Sequence, residues 1–246
     1  MSNLKAFVDF GTKNLKLGVF DEKSKIIYSS QKKIIHKIDS ISIEQSLSIL
    51  IRNAEKYLST HIDNIVVLYD SPKFYSLDIS IKKVFDHPTL IKKVYETLIE
   101  EAHFYVAQNN FKDEIIHLVI NNILVDQDKK LDKISDDIQS ESLILEIKFI
   151  CLSKSLMENI SNKFKKINLK ILNLYCSSYV KTISYNKKFD KKNYFIFLDI
   201  GYERTSCLIF NNNNLEFFKS IPLGSNNITK DISQILKINF ENSEDL

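Results

Sequence analysis

Two stretches of the chain place an aspartate, a glycine and hydroxyl or basic side chains in a turn between two apolar strands. The first, FVDFGTKNLKLGVF, starts at Phe7, and the second, FLDIGYERTSCLIF, starts at Phe197. A tight turn of this kind offers backbone N–H groups to a phosphate, and a carboxylate at a strand end can hold a water molecule on Mg²⁺. The repetition predicts a duplicated α/β unit whose two turns face each other across a cleft for a nucleoside triphosphate.

The residue types in the two turns suggest a role for each side chain. A glycine lets the backbone approach a ligand closely, a threonine donates its hydroxyl to a phosphate oxygen, and a lysine neutralises charge. The candidate nucleotide-binding residues are Asp9, Gly11, Thr12, Lys13, Asn14, Asp199, Gly201 and Thr205. Asp9 and Asp199 are also the candidates for holding Mg²⁺ through water. The alternative is that both aspartates only cap turns and that Lys13 only faces solvent.

Hydrolysis of the bound nucleotide is expected to be slow at most, because neither aspartate has an obvious base partner in the sequence. We therefore predict no catalytic residue. The P-loop, GxGxxG, GxSxG and HExxH signatures do not occur in the chain, which excludes the commonest motif-based nucleotide, hydride, hydrolase and zinc sites.

Composition and charge indicate a folded protein that does not bind nucleic acid. Hydrophobic residues make up 44% of the chain, and the formal net charge is only +3. The lysine pairs are dispersed among acidic residues, so we expect solvated faces rather than a basic patch. The three cysteines lie far apart and are expected to be buried thiols in a reducing cytoplasm.

Apolar periodicity predicts a regular series of elements. Strands are predicted at 5–10, 15–20, 25–30, 64–69, 74–85, 114–125, 143–152, 169–174 and 215–221, besides the second repeated hairpin. Helices are predicted at 43–58, from Pro88 to 109, from Ser153 to 166, and at 177–185 and 228–238. Ser42 and Gln45 suggest a capping box, residues 126–142 an exposed loop or hairpin tip, and residues 186–193 a linker. The opening order of three strands, a helix and a strand is typical of a ribonuclease-H-like or actin-like lobe.

With the paired hairpins and the inserted elements in view, the chain resembles the FtsA family of bacterial cell-division proteins. The resemblance rests on the stretch around Asp9, HLVINNILVD from His117, residues 150–174, CSSYVKTI from Cys176, residues 197–205, the group Gly224, Asn227, Thr229, Asp231 and Ile232, and the final SEDL from Ser243. In this family the glutamate of the last motif, here Glu244, contacts the nucleotide sugar.

The resemblance implies an α/β, actin-like fold with an inserted SHS2 module. Residues 1–68 and 153–190 would form the first lobe (1A), residues 69–152 the SHS2 module (1C), and residues 191–246 the start of a second lobe (2A). The chain departs from the family at Tyr202, Glu203 and Arg204, where many actin-like proteins have glycine or threonine. Large side chains there limit how closely the backbone can approach a phosphate.

The function that the resemblance implies is that of a cell-division adaptor. Such a protein binds ATP and Mg²⁺, polymerises, and tethers FtsZ filaments to the cytoplasmic face of the inner membrane at the division septum. Its partners would be further copies of itself, FtsZ and later proteins of the divisome, and the membrane-binding region would lie beyond Leu246. Two alternatives stay open: a PilM-like scaffold of type IV pilus assembly, and a sugar or acetate kinase or polyphosphatase of the same superfamily. Four glycines in the whole chain argue against the enzymes.

Overall fold

The computed structural model describes residues 4–34, 43–126, 129–186 and 194–246, and these residues form three sheets with helices packed against them. The strands are β1 (Lys5–Phe10), β2 (Asn14–Phe20), β3 (Ile26–Lys33), β4 (Asn64–Tyr69), β5 (Tyr75–Leu90), β6 (Asp113–Val125), β7 (Lys129–Leu131), β8 (Gln139–Ser153), β9 (Lys170–Cys176), β10 (Phe195–Ile200), β11 (Thr205–Asn211) and β12 (Asn214–Ile221). The helices are α1 (Ile43–Leu58), α2 (Ile91–Asn109), α3 (Lys154–Lys165), α4 (Ser177–Asn186), α5 (Ser225–Leu236) and α6 (Phe240–Glu244).

The first sheet has the strand order β3-β2-β1-β4-β9. Its strand β1 pairs antiparallel with β2 and parallel with β4, and β4 pairs parallel with β9. Parallel strands end at the same edge of a sheet, and the register aligns Phe10 with Tyr69 and Tyr69 with Cys176. The residues that follow these three strands therefore lie side by side at one edge.

The second sheet is antiparallel, with the order β5-β8-β6-β7, and α2 packs against it. Two predictions are corrected here. Pro88 does not open a helix: it lies in β5, where the register with β8 shifts between Val84 and Thr89, and α2 begins at Ile91. Proline lacks an N–H donor and fits an edge strand or a bulge, and β5 lies at the end of this strand order. Of the two options predicted for residues 126–142, a loop or a hairpin tip, the hairpin is found, because Lys129–Leu131 pairs with the end of β6, but residues 139–142 already belong to β8.

The third sheet, β10-β11-β12, is antiparallel and corresponds to β1-β2-β3 in the repeated phrase. Its inward side chains Leu208, Phe210, Leu215 and Phe218 are buried in the same core as the first sheet. Helix α5 starts at Ser225, three residues before its predicted start, because the Gly224 N–H donates to Asn227 Oδ1 at 3.0 Å and closes the first turn. The predicted cap at Ser42 and residues 187–193 of the predicted linker lie outside the described residues.

Candidate functional site

The turns after β1 and β10 line a single cleft of about 330 Å³. The first turn contributes Asp9, Gly11, Thr12, Lys13 and Asn14, and the second contributes Asp199 and Gly201. The fold therefore brings together seven of the nine residues that the sequence singles out. They meet because β1 and β10 carry the same phrase and because their two sheets share one core.

Thr205 and Glu244 have other contacts. Thr205 Oγ1 donates to the Leu223 carbonyl oxygen at 2.7 Å. Glu244 accepts from Lys13 Nζ at 2.8 Å and from Lys33 Nζ at 3.4 Å, and these lysines hold the pKa of its carboxyl below the ordinary value. Glu244 thus fixes the outer side of the first turn instead of lining the cleft.

Four charged cleft residues were not among the candidates: Lys16, Asp70, Lys181 and Arg204. Asp70 follows β4 directly, and β4 is the parallel neighbour of β1, so the two strands deliver their trailing residues to the same edge. A carboxylate immediately after a buried strand was therefore a usable signal in the sequence. The charged side chains lining the cleft are three carboxylates (Asp9, Asp70 and Asp199) and four cations (Lys13, Lys16, Lys181 and Arg204).

Arg204 joins two of these carboxylates. Its Nη2 donates to Asp70 Oδ2 and, at 2.9 Å, to Asp199 Oδ2. Its Nη1 donates to the Asp199 carbonyl oxygen and to Ser206 Oγ, both at 3.1 Å. The guanidinium is only 10% exposed, and its planar fork reaches acceptors on both sides of the cleft.

The two carboxylates respond differently to this shared partner. Burial raises the pKa of Asp70 above its ordinary value, although Arg204 and the Ser178 hydroxyl, which donates at 2.9 Å, act in the opposite direction. Burial also acts to raise the pKa of Asp199, but the hydrogen bond and charge of Arg204, together with Lys181, outweigh it and leave that pKa lowered. The difference follows from solvent access, since the Asp70 side chain is 6% exposed and that of Asp199 is 17% exposed.

The backbone of both turns is tightly packed. A Cβ on Gly11 would lie 2.7 Å from the Asn14 carbonyl oxygen, and one on Gly224 would lie 2.4 Å from that of Tyr202. The first amides of α5 are used by the second turn, because Ser225 N–H donates to Gly201 O at 2.9 Å and Asn226 N–H to Tyr202 O at 2.8 Å. The start of α5 therefore holds the second turn in place.

The cleft fits a polyanion better than it fits the expected Mg²⁺. Lysine ammonium groups at the rim and the turn after β1 suit phosphate oxygens. Asp199 Oδ2 already accepts from both Arg204 and Lys181, so a cation between Asp9 and Asp199 would meet an oxygen that is already bonded to two cationic side chains. In the described part of the chain, no group of three or more histidine, cysteine, aspartate or glutamate side chains is arranged to hold a metal ion. Nor does any described helix combine the length and apolarity needed to cross a bilayer.

Comparison with known proteins relates this chain to actin-like proteins. Residues 196–246 match the family model of the cell division protein FtsA. No curated protein matches in sequence. Among solved structures, the chain is similar to that of the PilM-PilN type IV pilus biogenesis complex, with a TM-score of 0.65 and 13% identity over 100% of this chain and 68% of the other.

A second similar structure is that of the ethanolamine utilization protein EutJ from Carboxydothermus hydrogenoformans. It has a TM-score of 0.51 and 12% identity over 99% of this chain, which spans 61% of the length of EutJ. A third is a protein with an actin-like ATPase fold and unknown function from Bacteroides thetaiotaomicron, with a TM-score of 0.40 and 11% identity, covering 97% of this chain and 79% of the other. Identities this low establish the fold alone. The chain has a mixed α/β fold of the actin-like ATPase type, as its repeated hairpins predicted.

Proposed function

We propose that this protein is an ATP-binding, actin-like adaptor of bacterial cell division that works at the cytoplasmic face of the inner membrane. The observation that carries the proposal is the convergence of the two repeated turns on one cleft. The match of residues 196–246 to the FtsA family supports the same function, because it covers the second turn and the elements that hold it.

The proposed domain division follows the three sheets. Residues 1–68 and 153–190 form lobe 1A, residues 69–152 the SHS2 module 1C, and residues 191–246 the start of lobe 2A. Strand β8 joins the first two, because Ile150 and Leu152 are buried in the core of the first sheet while Phe149 and Cys151 are buried in that of the second. Successive side chains of a strand point to opposite faces, so β8 contributes to both cores.

The proposed partners are FtsZ, further copies of the same protein in a filament, and later proteins of the divisome. Attachment to the membrane would come from a region that is not among these 246 residues. The nucleotide acts as a conformational ligand, and any hydrolysis is slow, because two of the three cleft carboxylates, Asp70 and Asp199, are already bonded to Arg204.

The second candidate is a PilM-like scaffold of type IV pilus assembly. It is favoured by the similarity to the PilM-PilN complex, which extends over 100% of this chain. In this alternative the module and the cleft are retained, and the partner is a PilN-like protein instead of FtsZ. The kinase alternative has less support, because the chain has only four glycines with which to build the glycine-rich substrate loops of such enzymes.

The experiment that separates the two scaffolds is co-sedimentation of the natural protein. It is mixed with FtsZ polymers in one arm and with PilN immobilised on beads in the other. Pelleting with FtsZ polymers but not with the PilN beads supports the division adaptor. Binding to PilN alone replaces it with the pilus scaffold, and binding to neither rejects both.

A further inference from the structure

Cationic side chains balance the carboxylates of the cleft, whereas a nucleotide site commonly uses a divalent ion for this purpose. A metal ion at such a site is held by carboxylate oxygens and neutralises phosphate oxygens. Here Arg204 is bonded to the carboxylates of both Asp70 and Asp199, and Lys181 Nζ lies 3.1 Å from Asp199 Oδ2. A divalent ion could reach Asp199 Oδ2 only by displacing these cations.

The guanidinium acts on the cleft through charge and not through direct contact with a ligand. Its Nη1 and Nη2 make four hydrogen bonds to protein acceptors, which uses all four hydrogens on these two atoms. Two lysines at the rim remain for phosphate contact. The Lys16 side chain is 55% exposed, and Lys13, which is 30% exposed, would exchange its bond to Glu244 for one to a phosphate oxygen, whereas Lys181 stays with Asp199.

Position 204 carries an arginine in a chain that uses lysine at nearly every other basic position. Among the 34 basic residues only Arg52 and Arg204 are arginine. The chain otherwise uses lysine, whose compact ammonium group cannot reach two carboxylates, a carbonyl and a hydroxyl in one plane. Arg52 lies on an exposed position of α1, whereas Arg204 is buried between the two sheets.

We propose that the cleft binds a nucleoside triphosphate without a divalent cation, because Arg204 and Lys181 together balance the charges of Asp70 and Asp199 from within. The proposal rests on the proposed ATP binding and makes it specific. The preferred ligand is the uncomplexed triphosphate, whose charge is met by lysines at the rim, while Asp9 is the one cleft carboxylate that neither Arg204 nor Lys181 contacts.

The test is a titration of the natural protein with a fluorescent ATP analogue, once in excess Mg²⁺ and once in EDTA. We expect the Kd in EDTA to be no higher than the Kd in Mg²⁺, with an allowance of about twofold for error in the two values. Binding that weakens about tenfold or more in EDTA overturns the inference and leaves ATP binding intact. Absence of binding in both buffers rejects ATP as the ligand and rejects this inference as well.

The variant Arg204→Met makes the test specific to the guanidinium. It uncovers two carboxylates, so binding in EDTA should weaken about tenfold or more, and Mg²⁺ should restore most of it. Equal weakening in both buffers would show a purely structural role and overturn the inference. Arg52→Met is the matched control and should leave both titrations unchanged.

A second variant keeps the inference testable if Arg204→Met does not fold. Asp199→Asn retains Arg204 and removes one carboxylate from the cleft. Its affinity for the analogue in EDTA should exceed that of the natural protein, because one negative charge is removed from the cleft. A variant that is folded by circular dichroism but binds the analogue in EDTA about tenfold less tightly would contradict the proposal.

Discussion

At the scale of single residues, Asp70 shows how this fold accommodates a buried carboxylate. Its side chain accepts from Arg204 and from Ser178 Oγ, and Cys176 Sγ lies 3.4 Å from its Oδ1. A buried carboxylate without such partners would be strongly destabilising, and removing one partner of a buried ion pair costs about 3–5 kcal/mol. Arg204 therefore has a structural role as well as the electrostatic role proposed for it.

Gly11 provides a test of the first turn. A valine there would bring its Cβ to 2.7 Å from the Asn14 backbone oxygen, so the turn must open. We expect Gly11→Val to weaken binding of the fluorescent ATP analogue about tenfold or more. In the control Gly18→Ala the new Cβ lies 3.2 Å from the Phe20 ring, which can move, and affinity should be retained. Equal affinity in the Gly11→Val protein would reject the role assigned to this turn.

His117 gives stability a predictable dependence on pH. Burial lowers its pKa to about 4, its Nε2 accepts from the Cys176 N–H at 2.9 Å, and its ring lies 4.6 Å from that of Tyr179. Below the unfolded pKa of about 6.5, the unfolded chain binds a proton that the folded protein does not. Stability should therefore fall as pH falls from about 6.5 to about 4, by up to about 3 kcal/mol.

The measurement is urea unfolding at a series of pH values. His117→Gln should remove most of this slope, because glutamine can accept the Cys176 N–H but does not titrate. His103→Gln, an exposed histidine on α2, should keep the slope of the natural protein. An unchanged slope in His117→Gln would assign the pH dependence to other groups.

The sequence allowed prediction of residues that act through the backbone, but it did not predict which side chains from distant parts of the chain would meet. Gly11 and Gly201 could be identified because a tight turn has a local signature. The sequence could not predict which way the Arg204 side chain points, because only the packing of two sheets brings Asp70 and Asp199 to it. Asp70 was missed for the same reason, although its place after a buried strand was visible.

At the scale of elements, the sequence pattern predicted the helices and strands whose bounds depend on neighbouring residues in the chain. Helix α1 spans Ile43–Leu58 as predicted, because its apolar positions recur on one face and bury Leu47, Leu50 and Ala54. Strand β5 was predicted too short, since Pro88 carries a helix-start signal that long-range pairing with β8 overrides. Strand β7 was missed because three polar-flanked residues carry almost no pattern of their own.

The contact between the second and third sheets includes an amide that makes two hydrogen bonds, beside a further hydrogen bond between Asn214 and Asn122. Asn121 Nδ2 donates to the Leu215 carbonyl oxygen, and Asn121 Oδ1 accepts from the Leu215 N–H, both at 3.0 Å. The side chain thus continues the pairing of β12 as a neighbouring backbone would. Asn121→Ala should lower the free energy of unfolding by about 1–2 kcal/mol and speed hydrogen exchange at Leu215.

Chemical denaturation and amide hydrogen exchange measure these two effects. Asn173→Ala, on an exposed position of β9, is the matched control and should change neither. If exchange at Leu215 stayed as slow in Asn121→Ala as in the natural protein, the amide would not be what connects the two sheets.

At the scale of the whole molecule, the two repeats differ in how they are covered. Ala6, Val8 and Phe10 of β1 are buried in the core, whereas their counterparts Ile196, Leu198 and Ile200 in β10 are 64%, 57% and 63% exposed. Exposed apolar side chains in one row on a sheet favour association. The residues that the structure describes thus leave one face of the third sheet open.

The 246-residue chain should therefore self-associate in a concentration-dependent way. Leu198→Lys should shift the population towards the monomer, because a charge in the middle of the row opposes burial of the face. Leu172→Lys, which changes a leucine of β9 that is 54% exposed, is the control and should leave association unchanged. Sedimentation velocity at several concentrations measures the shift, and equal association in the Leu198→Lys protein would exclude this face as the contact.

Strand β11 is only seven residues long, which is about 23 Å, and it is held near both ends. Arg204 precedes its first residue and is bonded to Asp70 at the edge of the first sheet, while the hairpin beyond its last residue leads to Leu215 and the amide of Asn121 in the second sheet. A strand fixed at two distant points can rotate only about the line that joins them. Any other rotation of the third sheet must first release the contact at Asp70 or the contact at Asn121, so a ligand in the cleft would also restrict how far the third sheet moves against the second.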